Sequence, residues 1–402
     1  MTKCSFKDCN QEVYDDSDKC ILHCEKDDLL EKKIMNYFGG NKDIDNFWNT
    51  FNKKLKENIE NNFLKFTLEN IIFPSMSKDK KYIEVELQKI KYLELKNCTF
   101  LDFIDMSNFL LVQNLVINDC TFKENVLFEK RIFRGHFFFQ SNEVFKNIKF
   151  FNMEFNGTCS FTNNKFKNEL TFNNVRFNDI ALFNNSEIED LFFQNTFFRK
   201  EANFLDIKLS KVGSRETARI IKDSFEKQNN IIEANKYYAL EMKEREKELE
   251  KDLKNCKNFF EWLVFKIHGI SSNHSQDWLL ALFWIISFTF LSVTIEKIFS
   301  SSLTSSDKGV LSLLVFSMIV ASNIYLSNSK RVYYLISIFI HYCIYSIFTQ
   351  DLLLKCFSKT LNPFSLMQTD DPINGLQLLY KIIIAYLIYQ FIVSIRQNTR
   401  RK

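Results

Sequence analysis

Proline and glycine are scarce, with 3 and 8 copies in a chain of 402 residues. So few forced or permissive bends exclude a loop-rich or collagen-like chain. A surplus of one charge is lacking too: Lys+Arg total 53 against 49 Asp+Glu, a formal net charge of +4. That is too small over this length to imply nucleic-acid binding, and lysine alternates with glutamate rather than forming one dominant basic stripe. Residues 1–28 contain no apolar run of the length a signal peptide needs. The 10 cysteines are therefore expected as reduced thiols in a cytoplasmic compartment rather than as a secreted disulfide scaffold. No phosphate loop, nucleophile elbow or dinucleotide fingerprint is found, so an enzyme is not expected.

What is abundant is phenylalanine, 44 copies, enough to fill interior space with rings. The chain is also split. Most of the charge lies in 1–275, whereas 278–395 is largely apolar, so mean hydropathy averages two different solvents. The length allows two or three folded units.

The opening, CSFKDCNQEVYDDSDKCILHC, gathers four soft ligands in a stretch too short for a hydrophobic core. Cys4, Cys9, Cys20 and His23 have the spacing of a closed tetrahedral zinc site, structural because no position is left for substrate. Cys24 competes with His23 as fourth ligand. A knuckle over 1–28 is followed by 29–90, expected as a helical cap. Leu29, Leu30, Ile34, Tyr37 and Phe38, then Phe47, Phe51, Leu55, Ile59 and Phe63, recur at helical intervals on either side of Gly39-Gly40, and the second helix is expected to run on towards Phe73.

From Leu95 a ladder begins: Phe100, Met106, Leu111, Ile117, Phe122, Phe128, Phe133, Phe139, Val144, Phe150 and onward to Phe204 and Leu209. Its steps alternate five and six, except that Ile188 to Phe193 and Phe193 to Phe198 are both five. Neither a helix nor a flat strand has that period, but a coil that turns a corner every five or six residues does. Two places before several rungs stands a small residue, Cys98, Cys120, Cys159, Ala181 or Ala202, leaving volume for stacked rings. Asn often follows a rung, as at Asn173-Asn174 and Asn184-Asn185, where its amide suits a corner. This ladder closely resembles the pentapeptide-repeat family, with Phe172, Phe177 and Phe183 at positions matching its central residue and Ala181 at its small inward one. The resemblance implies a right-handed four-sided β-helix over 91–212. The extra residue in alternate repeats departs from the family's strict fives and implies wider coils. The open ends of such a solenoid need covering, which assigns the flanking helices as caps.

A charged helical connector is expected over 213–275. Ser214 serves as its N-cap, Asn229-Asn230 as a turn, and 259–270 as an interfacial stretch. A solvated helix and a loose coiled-coil seam both fit EREKELEKDLK. This segment looks like the one following the repeats in membrane-attached pentapeptide-repeat proteins of AT-rich bacteria, which implies the bacterial inner membrane.

Four stretches in 276–402 are expected to cross the bilayer: 278–295, 310–326, 332–348 and 376–395. Lys330, Arg331 and the tail RQNTRRK place both termini in the cytoplasm by the positive-inside tendency. Asn323, His341, Lys381 and Gln390 are the costly polar groups at membrane depth, and Asp351, Asp370 and Asp371 lie in the long external loop. That loop reads either as a pore helix with an acidic vestibule or as a plain connection. The reading is an oligomeric membrane channel with a cytosolic solenoid sensor responding to a protein or small-ligand trigger. The alternative is a membrane-anchored scaffold that binds a cytosolic protein and transports nothing.

Overall fold

Steps of five and six residues close a four-sided coil, and the computed structural model is built on it; described are residues 3–6, 9, 11–14, 17–24, 42–60, 65–74, 87–129, 131–255, 257–327, 332–362 and 375–399. The chain divides into two compact units, 1–241 and 242–402.

The first unit is a parallel β-solenoid, seven strands deep on its tallest side. One side stacks Lys65–Glu69, Tyr92–Lys96, Asn114–Asn118, Phe137–Gln140, Cys159–Ser160, Ala181–Leu182 and Ala202–Asn203. The next two sides merge into one sheet because Lys165–Asn173 and Glu187–Gln194 run through the corner between them. The fourth side stacks Ile132–Phe133, Glu154–Phe155, Arg176–Phe177 and Phe197–Phe198. Phe137 pairs with Cys159, and Glu154 with Arg176, each partner one coil further along the chain.

Register alone dictates ring stacking. Phe100 lies 4.4 Å from Phe122, Phe128 4.6 Å from Phe150 and Phe161 5.1 Å from Phe183, centroid to centroid and nearly coplanar. These distances match the strand spacing of about 4.8 Å. Cys98, Cys120, Cys159, Ala181 and Ala202 are buried beside them, as the volume argument requires.

The alternation of step lengths has a backbone cause. Asn97, Asp119, Ser141, Asn163 and Asn185 have positive φ, as do Asn152, Asn174 and Asn195, and each lies inside a five-residue step. One left-handed residue makes a tight corner, and Asn or Asp adopts it at least cost. The lone departure at Ile188–Phe193 is the register shift opposite Phe166/Glu169, where Lys167 and Asn168 oppose Glu189 alone. Downstream pairings then advance by 21, as from Ala181 to Ala202.

Both ends are covered. Helix α1 (Lys42–Glu60) buries Phe47, Trp48 and Phe51 against Phe73 and Phe109. Helix α2 (Arg215–Lys227) starts at the Ser214 cap, whose side chain accepts from the Thr217 N–H. It satisfies the open edge directly: Thr217 Oγ1 accepts from Phe193 N at 2.8 Å, and Gln228 Nε2 donates to Ala202 O at 3.1 Å. Helix α3 (Ile231–Lys254) follows the Asn229-Asn230 turn.

Two expectations for this unit are corrected. The helix expected to continue towards Phe73 ends at Glu60, and Lys65–Glu69 and Ile72–Phe73 are strands paired with Tyr92–Lys96 and Thr99–Phe100. The solenoid thus begins before Leu95. Its first coil advances by 27, from Lys65 to Tyr92, which hides it from a period near 22. The rung expected at Leu111 is 37% exposed, because Met106–Leu111 forms a 3-10 helix that turns Phe109 and Leu110 inward instead. The helix expected over 29–38 lies outside the described residues.

In the second unit α4 (Phe259–Ser272), α5 (Trp278–Ser300), α6 (Ser305–Ser327), α7 (Val332–Thr349), α8 (Lys355–Leu361) and α9 (Gly375–Thr399) follow in order. Helix α5 is central and touches each of the others. Among the described residues two helices, Trp278–Ser300 and Gln377–Thr399, are long and apolar enough to cross a membrane, and Tyr333–Thr349 is a shorter apolar helix. In the most apolar window, 61% of α5 is buried by its neighbours but only 28% of α9, which turns Leu379, Ile382 and Ile392 outward.

Candidate metal centre

A single antiparallel bridge, Lys3 to Glu12, folds the amino end back on itself. The tight turn at 20–24 then places Cys20 and His23 beside Cys4 and Cys9. Cys9 Sγ lies 3.7 Å from Cys20 Sγ, Cys4 Sγ 3.7 Å from His23 Nδ1, and Cys20 Sγ 3.2 Å from His23 Nδ1. All four ligand atoms fall within 4.8 Å of one another. A tetrahedral zinc with bonds of about 2.3 Å to sulfur and 2.0 Å to nitrogen separates its ligand atoms by about 3.3 to 3.8 Å. The four donors fit such an ion.

Cys24 is excluded as the fourth ligand, since its Sγ turns to the Ile21 carbonyl. The His23 ring stacks on Phe6 with centroids 4.4 Å apart, which fixes Nδ1 towards the thiols. Burial, aided by the neighbouring charge of Cys9, pushes the Cys20 thiol up to about 12. On Cys4 burial acts upward, but the N–H of Cys20, 3.2 Å from its sulfur, and that of Phe6 bring it below its ordinary value. Buried thiols drawn this close favour a cation among them. The knuckle also docks on the solenoid, with Ile72 N donating to Leu22 O at 3.1 Å.

No family model, curated protein or solved structure matches this chain.

Among the described residues, the polar groups expected in the apolar region are not brought together into one site. His341 is buried in helix contacts, its Nδ1 3.1 Å from Ser287 Oγ and its Nε2 3.5 Å from Ser337 Oγ. Gln390 Oε1 accepts from Ser272 and Ser275 at 3.1 and 3.2 Å. Asp351 anchors α8: it accepts from the Tyr345 hydroxyl at 2.5 Å and the Cys356 N–H at 2.7 Å, which hold its carboxyl down at about 2. Lys381 is half-buried on α9, and Asn323 is placed on α6. Asp370 and Asp371 lie outside the described residues.

One polar constellation has no counterpart among the sequence expectations. His274 Nε2 lies 3.3 Å from Glu246 Oε2, the two Nδ1 atoms of His274 and His268 are 3.2 Å apart, and His268 Nε2 is 3.2 Å from Ser275 Oγ. With Glu246 accepting, His274 donates from Nε2 and accepts at Nδ1 from His268 Nδ1, while the single Ser275 hydroxyl proton is shared between His268 Nε2 and Gln390 Oε1. Burial, then repulsion from His274, lowers His268; burial lowers His274 against the pull of Glu246, with Lys243 and Lys266 adding to the fall. The members stand at 246, 268, 274, 275 and 390, too far apart for any local motif.

Proposed function

We propose that this chain is a membrane-anchored scaffold whose solenoid binds a cytosolic protein, with a structural zinc at its amino end. What carries the reading is the capping: α1 and α2 occupy the solenoid's two ends, leaving its side faces as the surface for contact. Zinc suits the ligand set because three thiolates and an imidazole fill a tetrahedron and leave no open position. The stacked inward rings and small neighbours support kinship with pentapeptide-repeat solenoids.

Attachment is supported by the two membrane-length helices and the outward apolar side chains of α6, α7 and α9, including Leu313, Leu335, Phe339 and Ile382. On this reading α5, α6, α7 and α9 make four crossings of a bacterial inner membrane, with both termini in the cytoplasm. The oligomeric channel draws less support, since His341, Gln390 and Asp351 each bond locally.

The test combines alkaline carbonate extraction, photo-crosslinking from the solenoid faces in native membranes, and planar-bilayer recording of the purified full chain. The scaffold predicts a carbonate-resistant protein, a heteromeric adduct and no current. Reproducible unitary conductance without any adduct overturns it in favour of the channel.

A further inference from the structure

Ahead of Arg215 the only arginines are Arg131, Arg134, Arg176 and Arg199, although lysine is plentiful there. All four fall on the solenoid's fourth side. Two outward columns run along that side. Register aligns Ile132, Glu154, Arg176 and Phe197 in one; Arg134, Asn156, Asn178 and Arg199, each following an inward Phe, form the other. The first column is apolar at both ends, with Ile132 63% and Phe197 59% exposed. The second is basic at both ends with amides between.

These cations differ from several of the lysines on the solenoid. Lys96, Lys167, Lys200, Lys208 and Lys211 each pair with a carboxylate of a neighbouring coil. None of the four arginines has an ion pair among the described residues. Two shallow grooves meet at Glu154 and Arg176, one reaching Phe197 and Arg199, the other Arg131 and Ile132.

We propose that this side binds an extended acidic protein segment, whose carboxylates bridge Arg134 and Arg199 and whose apolar side chains rest on Ile132 and Phe197. The proposal rests on the scaffold reading and names its partner class. Arg134 and Arg199 lie three coils apart, about 14 Å, which an extended peptide covers in about four residues. Guanidinium forks take carboxylates in two parallel hydrogen bonds, a geometry lysine does not offer. Glu154, at the centre of the face, repels a phosphate backbone but accepts a peptide N–H. Asn178 Nδ2 already donates to Glu154 Oε1 at 2.8 Å and to Asn156 Oδ1 at 2.7 Å, which leaves Asn156 Nδ2 and Asn178 Oδ1 to meet the same peptide. A nucleic acid is therefore the less suited occupant.

The experiment uses the full chain in nanodiscs of zwitterionic lipid and fluorescence anisotropy. Its probes are a labelled peptide with Leu-Glu-Ser-Ser-Leu-Glu at its centre, which sets both Glu and both Leu four residues apart, its Gln-for-Glu twin and a 12-nucleotide oligothymidylate. The acidic peptide is expected to bind, and its twin and the oligonucleotide at least tenfold more weakly. R134E and R199E each weaken peptide binding about tenfold, and R134K about threefold, through loss of the fork. K165E, on the second side, leaves binding unchanged and controls for net charge. Absent peptide binding, tighter oligonucleotide binding, or indifference to R134E and R199E overturns the proposal. Crosslinking separates the two readings. A heteromeric adduct that persists in R134E/R199E keeps the scaffold and removes this face, whereas no adduct from any face removes the scaffold itself.

Discussion

Asn142 and Asn164 are buried among phenylalanines, where an amide is costly unless every group is paired. Asn164 Oδ1 accepts from Asn142 N at 2.8 Å and its Nδ2 donates to Phe139 O at 2.7 Å, while Asn142 repeats the pattern one coil earlier with Cys120 N and Ile117 O. Each side chain thus joins neighbouring coils at a place where the strand ladder is interrupted. Asn164→Leu strands a buried N–H and a buried carbonyl, and is expected to cost about 2 to 5 kcal/mol. Phe172→Ala opens a cavity beneath Phe150 and Phe193 and should cost about 3 to 5 kcal/mol. Denaturant titration of the full chain in detergent checks both; a loss below about 1 kcal/mol in either would contradict the closed-coil packing. At the metal centre, Cys20→Ser and His23→Ala should lower bound zinc below one per chain, measured by elemental analysis. Cys24→Ser should leave it unchanged, because that thiol faces Ile21 O.

Helices and coils are legible from a sequence when their signal is local or strictly periodic. The Phe ladder is readable because one inward side chain recurs every five or six residues, and even its single irregularity at Ile188–Phe193 is a bulge. The candidate metal cluster is readable because four soft donors follow closely along the chain, from Cys4 to His23. The first coil is not, since its advance of 27 residues breaks the period, and a 3-10 helix replaces strand at Leu111. The arginine face needs residues counted by coil, and the histidine pair needs α3, α4 and α9 brought together. That pair gives a prediction for the α3–α4–α9 junction. Folded-state values of His268 and His274 lie below their unfolded ones, so the folded form resists protonation. Stability is therefore intact above the ordinary histidine value near 6.5 and falls as pH drops below it. Between pH 7.5 and 5.5 the melting temperature of the detergent-solubilised chain should drop more for wild type than for His268→Gln/His274→Gln. Glu246, Lys243 and Lys266 are the charged groups facing the pair, and Glu246→Gln should steepen the drop by removing the one carboxylate that favours the charged ring. Equal slopes in all three proteins would remove the histidines as the cause.

For the molecule as a whole, the decisive question is how the apolar unit meets a bilayer, and the cysteines supply a readout. On the four-crossing reading, α8 and the loop from Thr349 lie opposite the solenoid across the membrane. Cys356 is half-exposed on α8, whereas Cys4, Cys9, Cys20, Cys98, Cys120 and Cys159 are all buried in the solenoid unit. A membrane-impermeant maleimide added to spheroplasts should therefore label the chain at Cys356, and Cys356→Ser should abolish that label. In inverted vesicles the same reagent should leave Cys356 unmodified. It should react there with the knuckle thiols only after chelation, because a bound ion and burial both protect them. Labelling of Cys356 from the cytoplasmic face alone, with the knuckle thiols reactive on that same face, would leave an even number of crossings between solenoid and loop and put Asp351 on the solenoid's side. Were that found, the positive residues Lys330, Arg331 and Arg396 would no longer decide orientation, and α5 would serve as the core of a helical unit rather than as a crossing.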